Sequence, residues 1–321
     1  MPSNYKPHII LVTGGCGFIG TNLVEYLLGK GHQLRILDNL FSNASLWSTD
    51  RKTKDGHRLS DISLMVGDIR DREKVEESIE GVNTVVHLAA HTDVVTSNPK
   101  EDWDVNVNGT LILLEACRRR GLERFIFASS NAVVGEQAPP IDETIVPQPL
   151  SLYGASKLAG EALCSAYYHS FGLKTTSLRF ANGYGPYSEH RPSVISKFVK
   201  SAKDGKPLII YGDGNQTRDF VHASDICQAI YLALAASDNQ SITPHAYGEV
   251  IQIASGVETS IKELAEMMKK ITESNLQIKY QPVRKGEIER NYSDISKAKA
   301  ILSFEPRIEL RDGLEKLWQS S

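Results

Sequence analysis

A tyrosine and a lysine four residues apart, Tyr153 and Lys157, can place a phenol and an ammonium group on one face of a helix. A free tyrosine has a pKa of about 10 and is a poor base at neutral pH. A neighbouring ammonium favours the phenolate, and lowering the pKa by about three units needs roughly 4 kcal/mol of differential stabilisation. Such a pair also arises by chance on helix surfaces. We therefore interpret it together with a second pattern near the N-terminus.

Three glycines in the segment TGGCGFIG, at Gly14, Gly17 and Gly20, follow the first apolar run of the chain. Such glycines let the backbone turn tightly and approach a pyrophosphate, while the helix that begins there presents free N–H groups. The next predicted strand ends at Asp38, whose carboxylate can bind ribose hydroxyls and would repel a 2′-phosphate. Asn39 follows it, rather than an arginine. The pattern predicts a site for NAD rather than NADP.

The carboxyl ends of two further predicted strands add residues to this site. Asp68 can reach the adenine amino group, although a solvent-exposed turn aspartate would occupy the same position. The small residues Ala89 and Ala90 would let a cofactor lie against the backbone, or would only pack in the core. The predicted NAD-binding residues are Gly14, Gly17, Phe18, Ile19, Gly20, Asp38, Asn39, Asp68, Ile69, Leu88, Ala89, Ala90, Tyr153 and Lys157.

A serine, Ser130, follows the fifth predicted strand, at the edge where parallel sheets place their ligands. Its hydroxyl can bind a substrate hydroxyl and help Tyr153 to move its proton. The alternative is a turn serine that caps a backbone N–H. The predicted catalytic residues are Ser130, Tyr153 and Lys157.

Alternating strands and helices must position these residues. Apolar runs predict strands over 8–13, 33–38, 63–66, 84–88, 124–128, 174–179 and 208–211. Periodic segments predict helices over 18–28, 72–79, 103–120, 153–170 and 193–203. The order is typical of an α/β protein with a Rossmann-type, doubly wound parallel sheet. The polar segment 42–61 and the proline-rich segment 139–149 are expected to be loops.

The composition is that of an ordinary globular protein of 321 residues, long enough for a nucleotide-binding domain with a smaller partner. We expect an NAD-binding domain and an interleaved C-terminal substrate domain. The first is expected to comprise residues 1–180 and about 219–254, and the second about 181–218 and 255–321.

The net charge of −3 and the pI of about 6.3 do not indicate a nucleic-acid surface, because phosphate binders concentrate Lys and Arg. The four cysteines show no CxxC pairing, so we expect neither a metal site nor disulfides. No apolar run approaches the ~18–20 residues of a membrane span, and residues 1–8 do not resemble a signal peptide. We therefore expect a cytoplasmic protein that binds neither nucleic acid nor membranes.

Ten segments spread over nearly the whole chain match the motifs of one family. They are TGGCGFIG (13–20), DNL (38–40), GDIRD (67–71), HLAA (87–90), NVNGT (106–110), FASSNAVVG (127–135), YGASK (153–157), RFANGYGP (179–186), GDGNQTRDFVHASD (212–225) and RKGE (284–287). Together they resemble the extended short-chain dehydrogenase/reductase family, in its NAD-dependent epimerase/dehydratase branch.

The resemblance implies roles for individual residues. Tyr153 would be the catalytic base, Lys157 its electrostatic partner and Ser130 the residue that assists it. The implied substrate is a nucleotide-linked sugar, most simply a UDP-sugar. Guanidinium groups suit phosphate because they donate two parallel hydrogen bonds. The implied substrate-binding residues are Ser130, Tyr153, Asn182 at the sugar or diphosphate, and Arg218 and Arg284 at the diphosphate.

Two positions bear on which reaction follows the first hydride transfer to NAD. The 4,6-dehydratases of the family carry an Asp-Glu pair just after the catalytic Thr, and decarboxylases tend to carry a Glu two residues after it. Here these positions are Asn131 and Ala132. The resemblance therefore implies a 4-epimerase, with UDP-glucose and UDP-galactose as the default pair. The alternatives are a UDP-uronic-acid epimerase or decarboxylase, another nucleotide-sugar epimerase or dehydratase, and a non-catalytic NAD-binding protein.

The chain departs from the family pattern at Val134, where most relatives have Tyr, and at Val105, which is commonly polar. Neither change touches the implied base. The resemblance also implies a homodimer, in which helices 103–120 and 153–170 of each subunit would pack into a four-helix bundle.

Overall fold

The computed structural model describes residues 9–41, 62–92, 98–235, 245–273, 275–284, 286 and 288–320. Its strands are β1 (Ile9–Thr13), β2 (Gln33–Asp38), β3 (Ser63–Val66), β4 (Thr84–His87), β5 (Arg124–Ser130), β6 (Lys174–Phe180), β7 (Asn182–Tyr184), β8 (Leu208–Tyr211), β9 (Thr217–Arg218), β10 (Phe220–His222), β11 (Val250–Ile253), β12 (Thr259–Ser260) and β13 (Ile278–Gln281). Its helices are α1 (Phe18–Leu28), α2 (Arg72–Ser78), α3 (Pro99–Trp103), α4 (Thr110–Arg120), α5 (Leu152–Phe171), α6 (Val194–Lys203), α7 (Ala223–Ala235), α8 (Ile261–Ile271), α9 (Ser296–Leu302) and α10 (Leu310–Ser320). The predicted loop 42–61 lies outside the described residues, as do Lys285 and Glu287 of the RKGE segment.

Seven strands form one parallel sheet in the order β11-β6-β5-β4-β1-β2-β3. The direction of winding reverses between β1 and β4, and the carboxyl ends of such strands border the crevice in which doubly wound sheets bind ligands. The predicted Rossmann-type α/β fold is confirmed. Strand β11 is absent from the predicted strands, because a run of only four residues that includes the polar Gln252 gives a weak local signal.

The central strand β1 has apolar neighbours on both faces. Ile10 and Val12 belong to one apolar cluster, with Leu23 of α1, whereas Leu11 belongs to another, with Val85 of β4. Successive residues of a strand point to opposite faces, so helices cover the sheet on both sides.

The helical segment predicted over 103–120 begins earlier and is irregular. Helix α3 continues through one π-helical turn, Asp104–Gly109, into α4. Single π-helical turns widen a helix locally and often occur at functional sites. This turn displaces the side chains of the NVNGT segment relative to a regular helix.

A third apolar cluster packs the C-terminal part of the chain, with residues from α6, α8, α10 and the two-stranded sheet β13-β8 around Phe198, Leu208 and Leu264. The division into two interleaved domains stays a prediction. Within the described ranges, no helix combines the length and apolar character that a bilayer crossing needs.

Candidate active site

The glycine turn between β1 and α1 brings two backbones unusually close. Gly14 has φ +69°, and a Cβ there would lie 2.6 Å from the backbone N of Ala89. A Cβ at Gly20 would collide with the carbonyl oxygen of Gly14. Helix α1 starts from Gly17 without a side-chain cap and without an acidic residue in its first turn. Its first N–H groups are therefore suited to an anion such as a diphosphate.

Asp38 is held at the mouth of this turn. Its carboxylate accepts hydrogen bonds from the backbone N–H groups of Cys16 (2.9 Å) and Leu40 (2.7 Å). Burial raises the pKa of Asp38, and both hydrogen bonds oppose that effect. Each carboxylate oxygen keeps accepting capacity beyond these bonds, so the group can also bind ribose hydroxyls.

Asp68 lies next to this acid but is engaged differently. Its oxygens accept two hydrogen bonds from the Arg70 guanidinium, at 2.9 and 2.8 Å, and one from Asn39 at 3.3 Å. The hydrogen bonds from Arg70 lower the pKa of Asp68. An adenine amino group would have to share these oxygens. The neighbouring Ile69 is buried and faces Gly109 of the π-helical turn.

A buried chain of hydrogen bonds joins the end of β1 to the first residue of α4, directly after the π-helical turn. The Thr13 hydroxyl lies 2.7 Å from His87 Nδ1, and His87 Nε2 lies 2.9 Å from the Thr110 hydroxyl. Asn106, in the π-helical turn, donates at 2.9 Å to the Ser156 hydroxyl of α5. His87 belongs to the HLAA segment, and Asn106 and Thr110 belong to the NVNGT segment, but the sequence alone indicates no role for these polar side chains.

Helix α5 carries the predicted Tyr153 and Lys157, and its observed range confirms the predicted helix within one residue at each end. Ser151 caps it by accepting a hydrogen bond from the N–H of Gly154 at 3.0 Å. Lys157 Nζ donates to the carbonyl of Ala128 at 2.8 Å and lies 5.9 Å from the centroid of the Tyr153 ring. The structure thus brings the phenol, the ammonium and the end of β5 together.

The predicted catalytic serine contacts the tyrosine. The hydroxyl of Ser130 forms a hydrogen bond with the Tyr153 phenol and accepts one from the N–H of Ala132 at 3.1 Å. Burial raises the pKa of Tyr153, whereas Ser130 and the charge of Arg191 lower it. Burial also lowers the pKa of Lys157 to about 8. Ser130 therefore both caps a backbone N–H and contacts the phenol, so the two alternative sequence interpretations do not exclude each other.

Arg191 is a residue that sequence reasoning missed. Its guanidinium lies 5.0 Å from the centroid of the Phe18 ring and donates weakly to the Gly183 carbonyl at 3.4 Å. Burial lowers the pKa of Arg191, and the Tyr153 phenol raises it. In the part of the chain that the structure describes, no carboxylate pairs with it. Nothing local marks this loop arginine, because its position beside Tyr153 depends on long-range packing.

The residues after Ser130 turn away from the phenol. Asn131 is buried, donates to the Ser293 hydroxyl at 3.0 Å and accepts a hydrogen bond from Gln252. Val134, at which the chain departs from the family pattern, is fully buried in a small apolar cluster with Ile141. Asn131 and Ala132 occupy the two positions at which the family pattern of dehydratases and decarboxylases has acidic side chains.

The predicted substrate residues lie on the short strands beyond β6. Asn182 of β7 donates from its side chain to the Asp219 carbonyl at 3.2 Å. The guanidinium of Arg218 donates to the carbonyls of Thr217 (2.7 Å) and Ile288 (2.8 Å). Asp219 therefore links the positions of Asn182 and Arg218.

Arg284 stacks on an aromatic ring near the end of β8. Its guanidinium carbon lies 3.5 Å from the centroid of the Tyr211 ring. Stacking leaves the edge of the guanidinium available for hydrogen bonds to an anion.

Asp219 is a second residue that sequence reasoning missed. It is fully buried, and its carboxylate accepts hydrogen bonds from the Ser255 N–H (2.8 Å), the Ser255 hydroxyl (2.7 Å) and the Gly256 N–H (2.9 Å). Burial raises the pKa of Asp219, and these donors oppose the rise. Asp219 lies inside the GDGNQTRDFVHASD segment and could have been singled out there, but its partners Ser255 and Gly256 lie far along the chain.

Comparisons with known proteins bear on this arrangement. Residues 11–317 match the family model described as GDP-mannose 4,6 dehydratase. A protein of Methanocaldococcus jannaschii, provisionally named UDP-glucose 4-epimerase, is 36% identical over 316 residues, which cover 96% of this chain and 97% of that one. The UDP-glucose 4-epimerase of Thermotoga maritima, solved with UDP-glucose, is similar with a TM-score of 0.86 at 33% identity, covering 97% of both chains. The UDP-glucuronic acid 4-epimerase of Bacillus cereus, solved with UDP-glucuronic acid and NAD, has a TM-score of 0.87 at 31% identity, covering 97% of this chain and 98% of that one.

A doubly wound sheet with a glycine turn at its switch point, together with these matches, defines the class: an NAD-dependent enzyme that acts on nucleotide sugars. The chain belongs to the NAD-dependent epimerase/dehydratase family of extended short-chain dehydrogenases/reductases. The residues present fit NAD, because close backbone approaches at Gly14 and Gly20 leave no room for side chains in the turn and Asp38 remains able to bind a ribose. Family members carry out more than one reaction, since the matched model is described as a dehydratase and the similar structures are epimerases.

Proposed function

We propose that this protein is a 4-epimerase of UDP-sugars, with UDP-glucose and UDP-galactose as the leading substrate pair. The observation that carries the proposal is the pair of residues after Ser130. Elimination of water or loss of carbon dioxide calls for an acidic group there, whereas the chain has Asn131, engaged in a buried cluster, and Ala132. Return of the hydride to the sugar needs no such group.

The reaction follows from the side chains around the phenol. Ser130 orients Tyr153, which removes the proton of the sugar 4-hydroxyl as C4 is oxidised and returns a proton when C4 is reduced. Bound NAD supplies the hydride acceptor and then the hydride donor. The charges of Lys157 and Arg191 favour the phenolate form. Arg218 and Arg284 would hold the diphosphate while the keto sugar turns its other face, and Asn182 would contact the sugar or the diphosphate.

A second candidate is a 4-epimerase of UDP-uronic acids, and Arg191 favours it. A half-buried guanidinium without a carboxylate partner among the described residues is costly unless an anion completes the site. A carboxylate on the sugar ring beside Tyr153 would be such an anion. A neutral hexose would leave Arg191 to another anion of the reactants.

Product analysis separates these functions. The purified protein is incubated separately with UDP-galactose and UDP-glucuronate, and the products are analysed by mass spectrometry and proton NMR. We expect an isomer of unchanged mass that is inverted at C4, from UDP-galactose for the first candidate and from UDP-glucuronate for the second. Loss of carbon dioxide or water would instead indicate a decarboxylase or a dehydratase. No turnover of either sugar with NAD bound would support a non-catalytic NAD-binding protein.

The remaining expectations accompany this proposal. We propose a homodimer formed by the π-helical segment with α4 and by α5, and a cytoplasmic location. We also propose that residues 1–180 and 219–254 form the NAD-binding domain, and residues 181–218 and 255–321 the nucleotide-sugar domain.

A further inference from the structure

A buried ion pair lies directly behind the catalytic residues. Glu161 of α5 accepts hydrogen bonds from Arg179 Nε and Nη2 of β6, both at 2.8 Å. Both side chains are only 4% exposed. The proposed reaction assigns no role to this pair. Among the described residues, the hydrogen bonds of Glu161 go to Arg179 and Ser129, and neither is a predicted substrate- or cofactor-binding residue.

A third element converges on the same carboxylate. Ser129 of β5 donates its hydroxyl to Glu161 Oε1 at 2.5 Å. Ser129 and Arg179 are cross-strand partners in the sheet register, and Ser130 follows directly. Glu161 thus binds both strands at the step where β5 presents Ser130.

Glu161 is also one helical turn after Lys157, so their side chains share a face of α5. Lys157 donates to the carbonyl of Ala128, the residue before Ser129. The ammonium and the carboxylate therefore attach the same helix to two successive residues of β5. A shift of either attachment would change the position of Lys157 relative to Ser130.

Stability alone is a poor explanation for such a pair. Removing two charges from water is costly, and well-packed apolar side chains of similar volume are often as stabilising as a buried ion pair. Arg179 also keeps one nitrogen, Nη1, without a hydrogen-bond partner in the described part of the chain. A buried, imperfectly satisfied charge cluster behind an active site is better explained by the geometry and charge that it imposes there.

We propose that Glu161 is a positioning residue, which through Ser129 and Arg179 fixes α5 against β5 and keeps the Lys157 ammonium charged beside Tyr153. This inference rests on the proposed function for its kinetic part. Its electrostatic part concerns Lys157 alone and is testable without turnover.

The groups that face Lys157 determine the direction of the effect. Burial lowers the pKa of Lys157, and Glu161 and Cys164 on the same helix oppose that. Burial raises the pKa of Cys164 to about 12 and lowers that of His87 on β4 to about 3, so both are neutral near pH 7. Glu161 is therefore the charged group whose loss should lower the pKa of Lys157 further, although Arg179 limits its effect.

The decisive variant is Glu161→Gln, which keeps the shape and removes the charge. In the full-length protein with lysine side chains labelled with ¹³C, NMR would follow the titration of Lys157, assigned by comparison with Lys157→Met. We expect its midpoint to fall by about one pH unit. In the reaction, we expect kcat to fall roughly tenfold, with KM nearly unchanged and the high-pH limb of kcat moved to lower pH. Glu161→Asp, which keeps the charge, should restore the position of that limb.

The matched control is Thr175→Val. Thr175 joins β6 to α5, as Arg179 does, through a hydrogen bond from its hydroxyl to the Cys164 carbonyl at 2.8 Å. This control should lower the unfolding temperature without moving the Lys157 titration. Equal titrations in the parent and Glu161→Gln, or equal shifts in Glu161→Gln and Thr175→Val, would overturn the proposal. If Glu161→Gln fails to fold, Ser129→Ala takes its place, and an unchanged kcat there would also overturn it.

Failure of the proposed function looks different. A protein without epimerase activity would still show the Lys157 shift in Glu161→Gln. An active epimerase without that shift would reject the role of Glu161 alone.

Discussion

The edge of the main sheet and the proposed C-terminal substrate region hold their predicted functional side chains in different ways. At the sheet edge, Ser130 and Tyr153 are joined by a hydrogen bond, and Lys157 is fixed to the backbone of β5. In the C-terminal region, Arg218 binds backbone carbonyls and Arg284 stacks on Tyr211. The first arrangement suits chemistry, which requires fixed geometry, and the second suits binding of a flexible diphosphate. Changes at the sheet edge should therefore affect kcat, and changes in the C-terminal region should affect KM.

The largest effect should come from Tyr153→Phe. Removing the base should lower kcat by roughly 10²- to 10⁴-fold, because general acid–base catalysis contributes about that much. Binding of NAD, measured by fluorescence or calorimetry, should be retained. Tyr167→Phe is the control on the same helix, since its hydroxyl bonds Glu115 at 3.1 Å away from the site. Undiminished turnover in Tyr153→Phe would show that the residues at the sheet edge do not carry out the reaction.

Gly14→Ala tests the cofactor part of the sheet edge. The added methyl group would lie 2.6 Å from the Ala89 backbone N, and overpacking of this kind costs about 1–3 kcal/mol. We expect the dissociation constant for NAD, measured by calorimetry, to rise roughly 10- to 100-fold. The control is Gly31→Ala, because Gly31 has a similar positive φ of +80° with no atom within 4 Å of an added Cβ. Equal losses in both variants would show that backbone strain, rather than close approach, is responsible.

Arg218→Met tests the C-terminal region, where changes are expected to affect KM rather than kcat. Loss of charged hydrogen bonds to a diphosphate, each worth about 1.5–3 kcal/mol, should raise KM for the nucleotide sugar at least tenfold. We expect kcat at saturation to change much less, as steady-state kinetics would show. Arg311→Met removes an equal charge from an exposed position on α10, paired with Glu315, and should leave KM unchanged. A fall in kcat without a change in KM would contradict the division of tasks.

The smallest kinetic effect should come from Leu111→Asp. Leu111 on α4 is 40% exposed, and Trp103 and Phe171 on neighbouring helices are also exposed. In the proposed homodimer the variant would bury an unpaired carboxylate, so light scattering should show dissociation to monomers. Tyr280→Asp, at an exposed residue of β13, is the control and should leave the mass unchanged. A monomeric parent protein would reject the dimer without affecting the comparison of the two regions.

Much of the sheet was predictable from the sequence, because local signals determine it. Helix α1 and strands β2 and β3 have the predicted bounds, and the glycines at Gly14 and Gly20 indicated the turn. The proximity of Ser130 and Tyr153 was predictable because Ser130 ends β5 and Tyr153 lies in the first turn of α5, at the same sheet edge.

The positions of Arg191, Asp219 and Glu161 could not be predicted in this way. Each depends on partners distant in the sequence, such as Ser129 and Arg179 for Glu161. The π-helical turn was equally hidden, because its residues continue the helical pattern on either side. Local periodicity indicates which face of an element is buried, but it does not indicate which polar side chains of other elements that face will contact.

The imidazole between Thr13 and Thr110 has a consequence for the behaviour of the protein in acid. Full burial lowers the pKa of His87 from 6.5 to about 3. Between these two pH values the imidazole is therefore neutral in the folded chain and protonated in the unfolded chain. This depressed pKa makes unfolding increasingly favourable as the pH falls below 6.5, by up to ~1.4 kcal/mol per pH unit until about pH 3. Acidification should therefore weaken the hydrogen-bonded connection between the end of β1 and the start of α4, and the loss should reverse on neutralisation.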